Sequence, residues 1–66
     1  MQVRANGSVI DLPDGATLPD LLDLLGLTGR TVAIERNGEA VDRKAVASIV
    51  LDDGDRCEIV RAVAGG

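Results

Sequence analysis

The sequence predicts an α+β domain in which one helix covers a mixed β-sheet. Three observations predict it. Asn6-Gly7 and Asn37-Gly38 each sit between short runs of alternating polar and apolar residues, the strongest short-range sign of a β-hairpin. Between them a single stretch, Thr17 to Gly26, carries leucines at helical spacing. After the second hairpin, a last alternating segment runs from Asp55 toward Val63.

The first hairpin pairs Gln2-Val3-Arg4-Ala5 with Ser8-Val9-Ile10-Asp11-Leu12, so that Val3, Ala5, Ile10 and Leu12 face inward. Pro13-Asp14-Gly15 breaks the second strand. In Thr17-Leu18-Pro19-Asp20 the threonine is placed to cap the helix and the aspartate, three residues on, to return the bond. Leu18, Leu21, Leu22 and Leu25 then fall on one helix face, and Asp20 and Asp23 occupy the early turns that favour negative charge. Such a stripe belongs to the core. Gly26 ends the helix, and Leu27 folds back.

Thr31 to Arg36 is β-branched and apolar enough for a strand, which Asn37-Gly38 turns into Glu39-Ala40-Val41. Asp42 to Ser48 has no clean period; it reads as a helical turn anchored by Val46, followed by a brief strand at Ile49-Val50-Leu51. Asp52-Asp53-Gly54 is a turn, and the closing strand follows. The order ββαββ plus a last strand, with one helix to cover one sheet face, is the β-grasp or ubiquitin-like arrangement, a four- to five-stranded sheet. In it the first and last strands lie parallel at the centre. Residues 1–63 are thus expected to form the domain, and residues 64–66 a flexible tail.

Composition narrows the function. The chain has 66 residues, 45% of them apolar and none aromatic, with a net charge of −4. Single-stranded nucleic acids are bound largely through aromatic stacking and phosphate backbones through positive charge, so nucleic-acid binding is not expected. One cysteine and no histidine exclude an intrachain disulfide, a Cys/His metal site and a Cys-His nucleophile pair. Met1-Gln2-Val3-Arg4 lacks the basic start and apolar run of a signal peptide, and no apolar stretch approaches the ~20 residues of a membrane span. A reducing cytoplasm is the expected setting, with no membrane partner.

The candidate site is the end of the chain. Ala64, Gly65 and Gly66 offer little that packs, and glycine's freedom leaves a slim tether whose α-carboxylate stands clear of the body. With an ordinary pKa of roughly 3.3–3.7 that group is anionic at neutral pH and must be activated before it is displaced at carbon. In-line attack on the α-phosphate of a metal-clamped ATP gives an acyl-adenylate, from which AMP leaves when sulfur or nitrogen attacks. The plain alternative is a frayed terminus, since two glycines end a chain by chance roughly once in 200 cases.

From Val32 on, the sequence resembles the sulfur-carrier family of thiamine biosynthesis, ThiS. Val32-Ala33-Ile34 followed by Asn37, Val41-Asp42-Arg43, Ile49-Val50, Asp53-Gly54-Asp55, and finally Ile59, Val63, Gly65 and Gly66 match the family in order and spacing. They span about half the chain. The first half agrees in layout only, and an aromatic that the family often carries near the position of Val46 is missing. The resemblance implies that a ThiF-like, E1-type adenylyltransferase adenylates the Gly66 carboxylate with ATP and magnesium. Sulfur from a persulfide donor then makes a thiocarboxylate, which thiazole synthase consumes. It also implies that the protein is a co-substrate and no enzyme, binds no cofactor of its own, and is gripped by partners on the last strand's exposed face and the tail, at Val60, Ala62, Val63 and Ala64.

Three other readings stand beside this one. The small subunit of molybdopterin synthase shares the fold and the Gly-Gly end, but tends to be longer and richer in aromatics, and the tail alone does not name the sulfur acceptor. A ubiquitin-like modifier hands its carboxylate to lysine amines; Lys44 is the sole lysine here. A binding module with an inert tail is the third. Cys57 shares its phase with Ile59 and reads as core, not as a sulfur-transfer group. Alternation places Arg56 on the solvent face; the side taken by Arg61 is open, because a bulge can shift it.

Overall fold

A computed structural model describes residues 1–61. The strands are β1 (Gln2–Ala5), β2 (Ser8–Asp11), β3 (Val32–Arg36), β4 (Glu39–Ala40) and β5 (Arg56–Arg61), with helix α1 (Leu18–Leu24) after β2 and a 3₁₀ helix, Arg43–Ser48, after β4. They form one five-stranded sheet in the order β2-β1-β5-β3-β4. β5 lies between β1, to which it is parallel, and β3, to which it is antiparallel. This is the β-grasp layout, with the first and last strands side by side in the centre.

Both hairpins turn as their Asn-Gly pairs require. All four turn residues hold positive φ, 51° and 85° at Asn6 and Gly7, 52° and 85° at Asn37 and Gly38. Asparagine and glycine are the residues that tolerate this geometry, and its twist matches that of the flanking strands. In the first hairpin Val3, Ala5 and Leu12 are buried, and Ile10 packs half-buried against the same core.

The helix begins with the reciprocal cap. Thr17 Oγ1 accepts from the Asp20 N–H at 3.2 Å, and Asp20 Oδ2 accepts from the Thr17 N–H at 2.9 Å. It ends where Gly26, at φ 74°, donates to the Asp23 carbonyl at 3.0 Å while Leu27 reaches back to the Leu22 carbonyl at 2.8 Å. These two bonds satisfy carbonyls that the helix end otherwise leaves unpaired. Leu18, Leu21 and Leu22 are buried beneath it with Val3, Ile34, Leu51, Cys57 and Ile59. Leu25, the last of the predicted stripe, is half-buried at the C-cap.

The structure departs from expectation in the second half. β4 stops at Ala40, although the Val41 N–H still donates to the Ile34 carbonyl at 2.8 Å. The chain leaves the sheet there because Asp42 caps the 3₁₀ helix, its Oδ1 accepting from the Lys44 N–H at 2.9 Å. Ile49-Val50-Leu51 forms no strand; it makes one isolated bridge, Thr17 with Val50. Its partner segment turns into the helix at once, so a ladder has nothing to extend along. Val46 packs half-buried against the core, as an anchor should.

Candidate functional site

The predicted site hangs on β5, and the fold fixes that strand from both edges. Toward β1, the Arg4 and Asn6 N–H groups donate to the Asp55 and Cys57 carbonyls at 2.8 and 3.0 Å. β1 ends there, and the Asn6 side chain continues the ladder. The Ile59 N–H donates to Asn6 Oδ1 at 2.7 Å, and Asn6 Nδ2 donates to the Ile59 carbonyl at 3.0 Å. On the opposite edge the Asn37 N–H donates to the Arg56 carbonyl at 2.8 Å, and the Arg56 N–H donates to Asn37 Oδ1 at 2.9 Å. Each hairpin asparagine therefore both makes its turn and grips the closing strand.

Below β5 lies a charged cluster. Asp55 is 5% exposed. Its Oδ2 accepts from Arg36 Nε at 3.0 Å, from Arg36 Nη2 at 2.7 Å and from the Asp52 N–H at 2.8 Å, and its Oδ1 accepts from Asn37 Nδ2 at 2.9 Å. Burial pushes the carboxyl pKa up, but the bonds from Asp52, Asn37 and Arg36 outweigh it and hold the group below its ordinary value. Arg36 is raised in turn, chiefly by its bond to Asp55. Arg36 Nη2 also reaches Asp52 Oδ2 and the Val50 carbonyl, at 3.2 and 3.3 Å. The cluster ties the 50–55 turn to the end of β3, so β5 starts from a fixed point.

Along β5, Cys57 and Ile59 point into the core while Arg56, Glu58 and Val60 face solvent. Cys57 is 1% exposed, and burial raises its pKa, as expected of a core thiol. The β3–β5 register runs unbroken from Arg36↔Cys57 to Val32↔Arg61, so there is no bulge. Arg61 keeps the inward phase and is exposed nonetheless, in contrast to Cys57 and Ile59.

The open sheet face changes character along the strand. Arg4 and Arg56 are partners at one end, Glu35 and Glu58 oppose each other in the middle, and Ala33 lies opposite Val60 at the far end. Val60 is 64% exposed. Opposed glutamates repel, and among the described residues neither is in an ion pair. The face thus presents an unneutralised acidic middle and an apolar end next to residue 62. Of the four residues assigned to partner binding, Val60 lies on the exposed face of β5, while Ala62, Val63 and Ala64, like Gly65 and Gly66 of the sulfur-carrying end, lie outside the described residues. The positioning roles of Asn6, Asn37, Arg36 and Asp55 were not read from sequence. The one available signal was phase, since Asp55 shares the inward register of Cys57 and Ile59.

No described helix is long and apolar enough to cross a membrane, and the described residues hold no group of three or more His, Cys, Asp or Glu placed to bind a metal.

The model of the ThiS family matches residues 2–66. Two curated relatives, each called thiazole synthase, are 38% identical in Paramagnetospirillum magneticum and 36% identical in Magnetococcus marinus, over all of this chain. The chain spans only 20% of the length of either. The crystal structure of a thiamine biosynthesis protein (ThiS) from Geobacter metallireducens is similar over the whole of both chains, with 28% identity and a TM-score of 0.80. A solution structure of a thiamine biosynthesis protein from the same organism gives 30% identity and a TM-score of 0.76, covering all of this chain and 88% of that one.

Proposed function

Since the chain belongs to the ThiS family, we propose that it is a sulfur carrier of thiamine biosynthesis that works through the Gly66 carboxylate. The family match, which runs through Gly66, is the observation that carries this reading. A carboxylate oxygen attacks the α-phosphorus of ATP, held with magnesium in a ThiF-like partner, and pyrophosphate leaves. The terminal sulfur of a donor persulfide then attacks the acyl carbon, and AMP leaves. A thiol cleaves the resulting S–S bond, is itself oxidised to a disulfide, and frees the thiocarboxylate. That sulfur is nucleophilic and is tethered to a body that partners recognise by docking.

Thiazole synthase is the proposed acceptor. Its support is that relatives bearing that name contain a segment like this chain. The open sheet face supplies the docking surface: the opposed Glu35 and Glu58 suit a basic patch, and Val60 with Ala33 suits an apolar one. The chain is a co-substrate in this scheme, with the chemistry done in its partners.

Incubation with ATP, magnesium, a ThiF-type enzyme and a persulfide donor, followed by intact mass, tests the proposal. The expected products are an acyl-adenylate without the sulfur donor and a thiocarboxylate with it, both lost on deletion of Gly66. Sulfur loading that survives the deletion overturns the role of the terminus. A loaded carrier that delivers sulfur to the molybdopterin precursor, and none to thiazole, overturns the thiamine assignment.

A further inference from the structure

We infer that the groove between α1, β3 and the 3₁₀ helix, away from β5, is a docking site for an extended acidic peptide segment of a partner protein, which adds a strand to the edge of β3 at Val32. The groove has a volume of about 520 Å³. Its apolar lining includes Leu22, Val32, Val41 and Val46, and Arg30 and Arg43 are its charged members. These four apolar residues belong to the core or pack against it, whereas both arginines are exposed.

Two observations identify the occupant. The first is an unpaired strand edge. Because the Val41 N–H donates to the Ile34 carbonyl, even-numbered residues of β3 direct their backbone groups away from β5. Val32 lies two residues before Ile34 and shares that direction. β4, however, pairs only with Glu35 and Arg36, and the chain turns into the 3₁₀ helix after Val41. Among the described residues no strand pairs with this edge at Val32, so its N–H and C=O are open to an added strand.

The second observation is charge. The chain carries 11 acidic and 7 basic residues, yet the groove is lined by two arginines and no Asp or Glu. A local reversal of sign on an acidic protein selects an acidic partner and repels a basic one. An extended segment alternating apolar and acidic residues satisfies every element at once. Its backbone pairs with Val32, its apolar side chains meet Leu22, Val41 and Val46, and its carboxylates meet Arg30 and Arg43. The site is separate from the open sheet face that carries Arg4, Glu58 and Val60.

The test is titration of the ¹⁵N-labelled full chain with an end-blocked Asp-Val-Asp-Val-Asp-Val peptide, alongside a Lys-Val counterpart and a version N-methylated on alternate amides. Amide shifts are expected at Leu22, Val32, Val41 and Val46. R30E/R43E is expected to weaken binding by about tenfold or more with the rest of the spectrum unchanged, and R30Q/R43Q by less. The Lys-Val and N-methylated peptides should not bind. Shifts confined to Arg4, Val9, Glu58 and Val60, no shifts at about 1 mM peptide, indifference to R30E/R43E, or equal binding of the Lys-Val peptide each overturn the inference. Sulfur loading is read separately by mass on unliganded chain, so this site and the carrier reading fail independently.

Discussion

Replacing Asp55 by alanine should be among the most costly substitutions in this domain. The carboxylate is 5% exposed and accepts four hydrogen bonds, two of them from the Arg36 guanidinium. Removing one member of a buried pair costs about 3–5 kcal/mol, because the other charge is left without compensation. Here the partner is not wholly stranded: the Arg36 side chain is 25% exposed, and Asp52, 3.2 Å from it, remains. The lower end of that range, about 3 kcal/mol, is therefore expected. A domain of 66 residues has a total stability of roughly 3–10 kcal/mol, so Asp55→Ala should leave a sizeable fraction unfolded or nearly so. Without aromatic residues there is no intrinsic fluorescence to follow, and urea unfolding read by far-UV circular dichroism is the assay. Because folding holds the Asp55 carboxyl below its ordinary value, its contribution is fully present above the unfolded pKa of about 3.9 and is lost as pH falls through the lower folded value. The variant's stability should accordingly change less than wild type across that acid window. A loss under about 1 kcal/mol, with an unchanged acid limb, would refute the claim that this cluster anchors the closing strand.

Asn6→Ala removes two bonds to Ile59 and should cost about 1–3 kcal/mol, with faster amide exchange at Ile59 than at Cys57; equal protection at both amides in the variant would show that the side chain does not extend the ladder. Cys57→Val should change stability by less than about 1.5 kcal/mol. The native thiol, 1% exposed, should react with an alkylating reagent only as fast as the domain opens, and rapid labelling would contradict its burial. Thr17→Ala should cost about 1 kcal/mol through the lost cap, which an unchanged melting temperature would disprove.

Features that depend on local chemistry were legible in the sequence. The Asn-Gly turns, the Thr17–Asp20 cap, the Gly26 stop and the phase that buries Cys57 and exposes Arg56 all follow from neighbours a few residues apart. What was missed depends on contacts distant along the chain. Ile49 to Leu51 reads as a strand by composition, but whether it pairs is decided by the segment around Thr17, which is already turning into the helix. At Asp55, which opens the alternating closing segment, nothing nearby in the chain points to its partner, because Arg36 lies 19 positions earlier. Asp55 shares the phase of Cys57 and Ile59, but that phase was read for its apolar members only. Asn6 was read for its backbone alone, and the partner of its amide lies 53 residues away. Val60 could be placed because it is on the strand itself, whereas the tail residues carry no pattern that packing enforces.

The two asparagines also determine where support for β5 changes. From Arg56 to Ile59 the strand is held on both edges, by β3 and Asn37 on one side and by β1 and then the Asn6 side chain on the other. Beyond Ile59 the pairing with β1 is over, and β3 alone continues as far as Val32↔Arg61. A strand with one neighbour has half the ladder bonds of a strand with two, so the local opening free energy should fall at Val60 and Arg61. That step comes just before residue 62, where the proposed carrier chemistry needs the chain to enter an active site. A central strand serves this need better than an edge strand. It fixes the chain up to residue 61 through the sheet core, while the last pair on the open face, Ala33 with the exposed Val60, stays on the surface, where the proposed docking of a partner needs it.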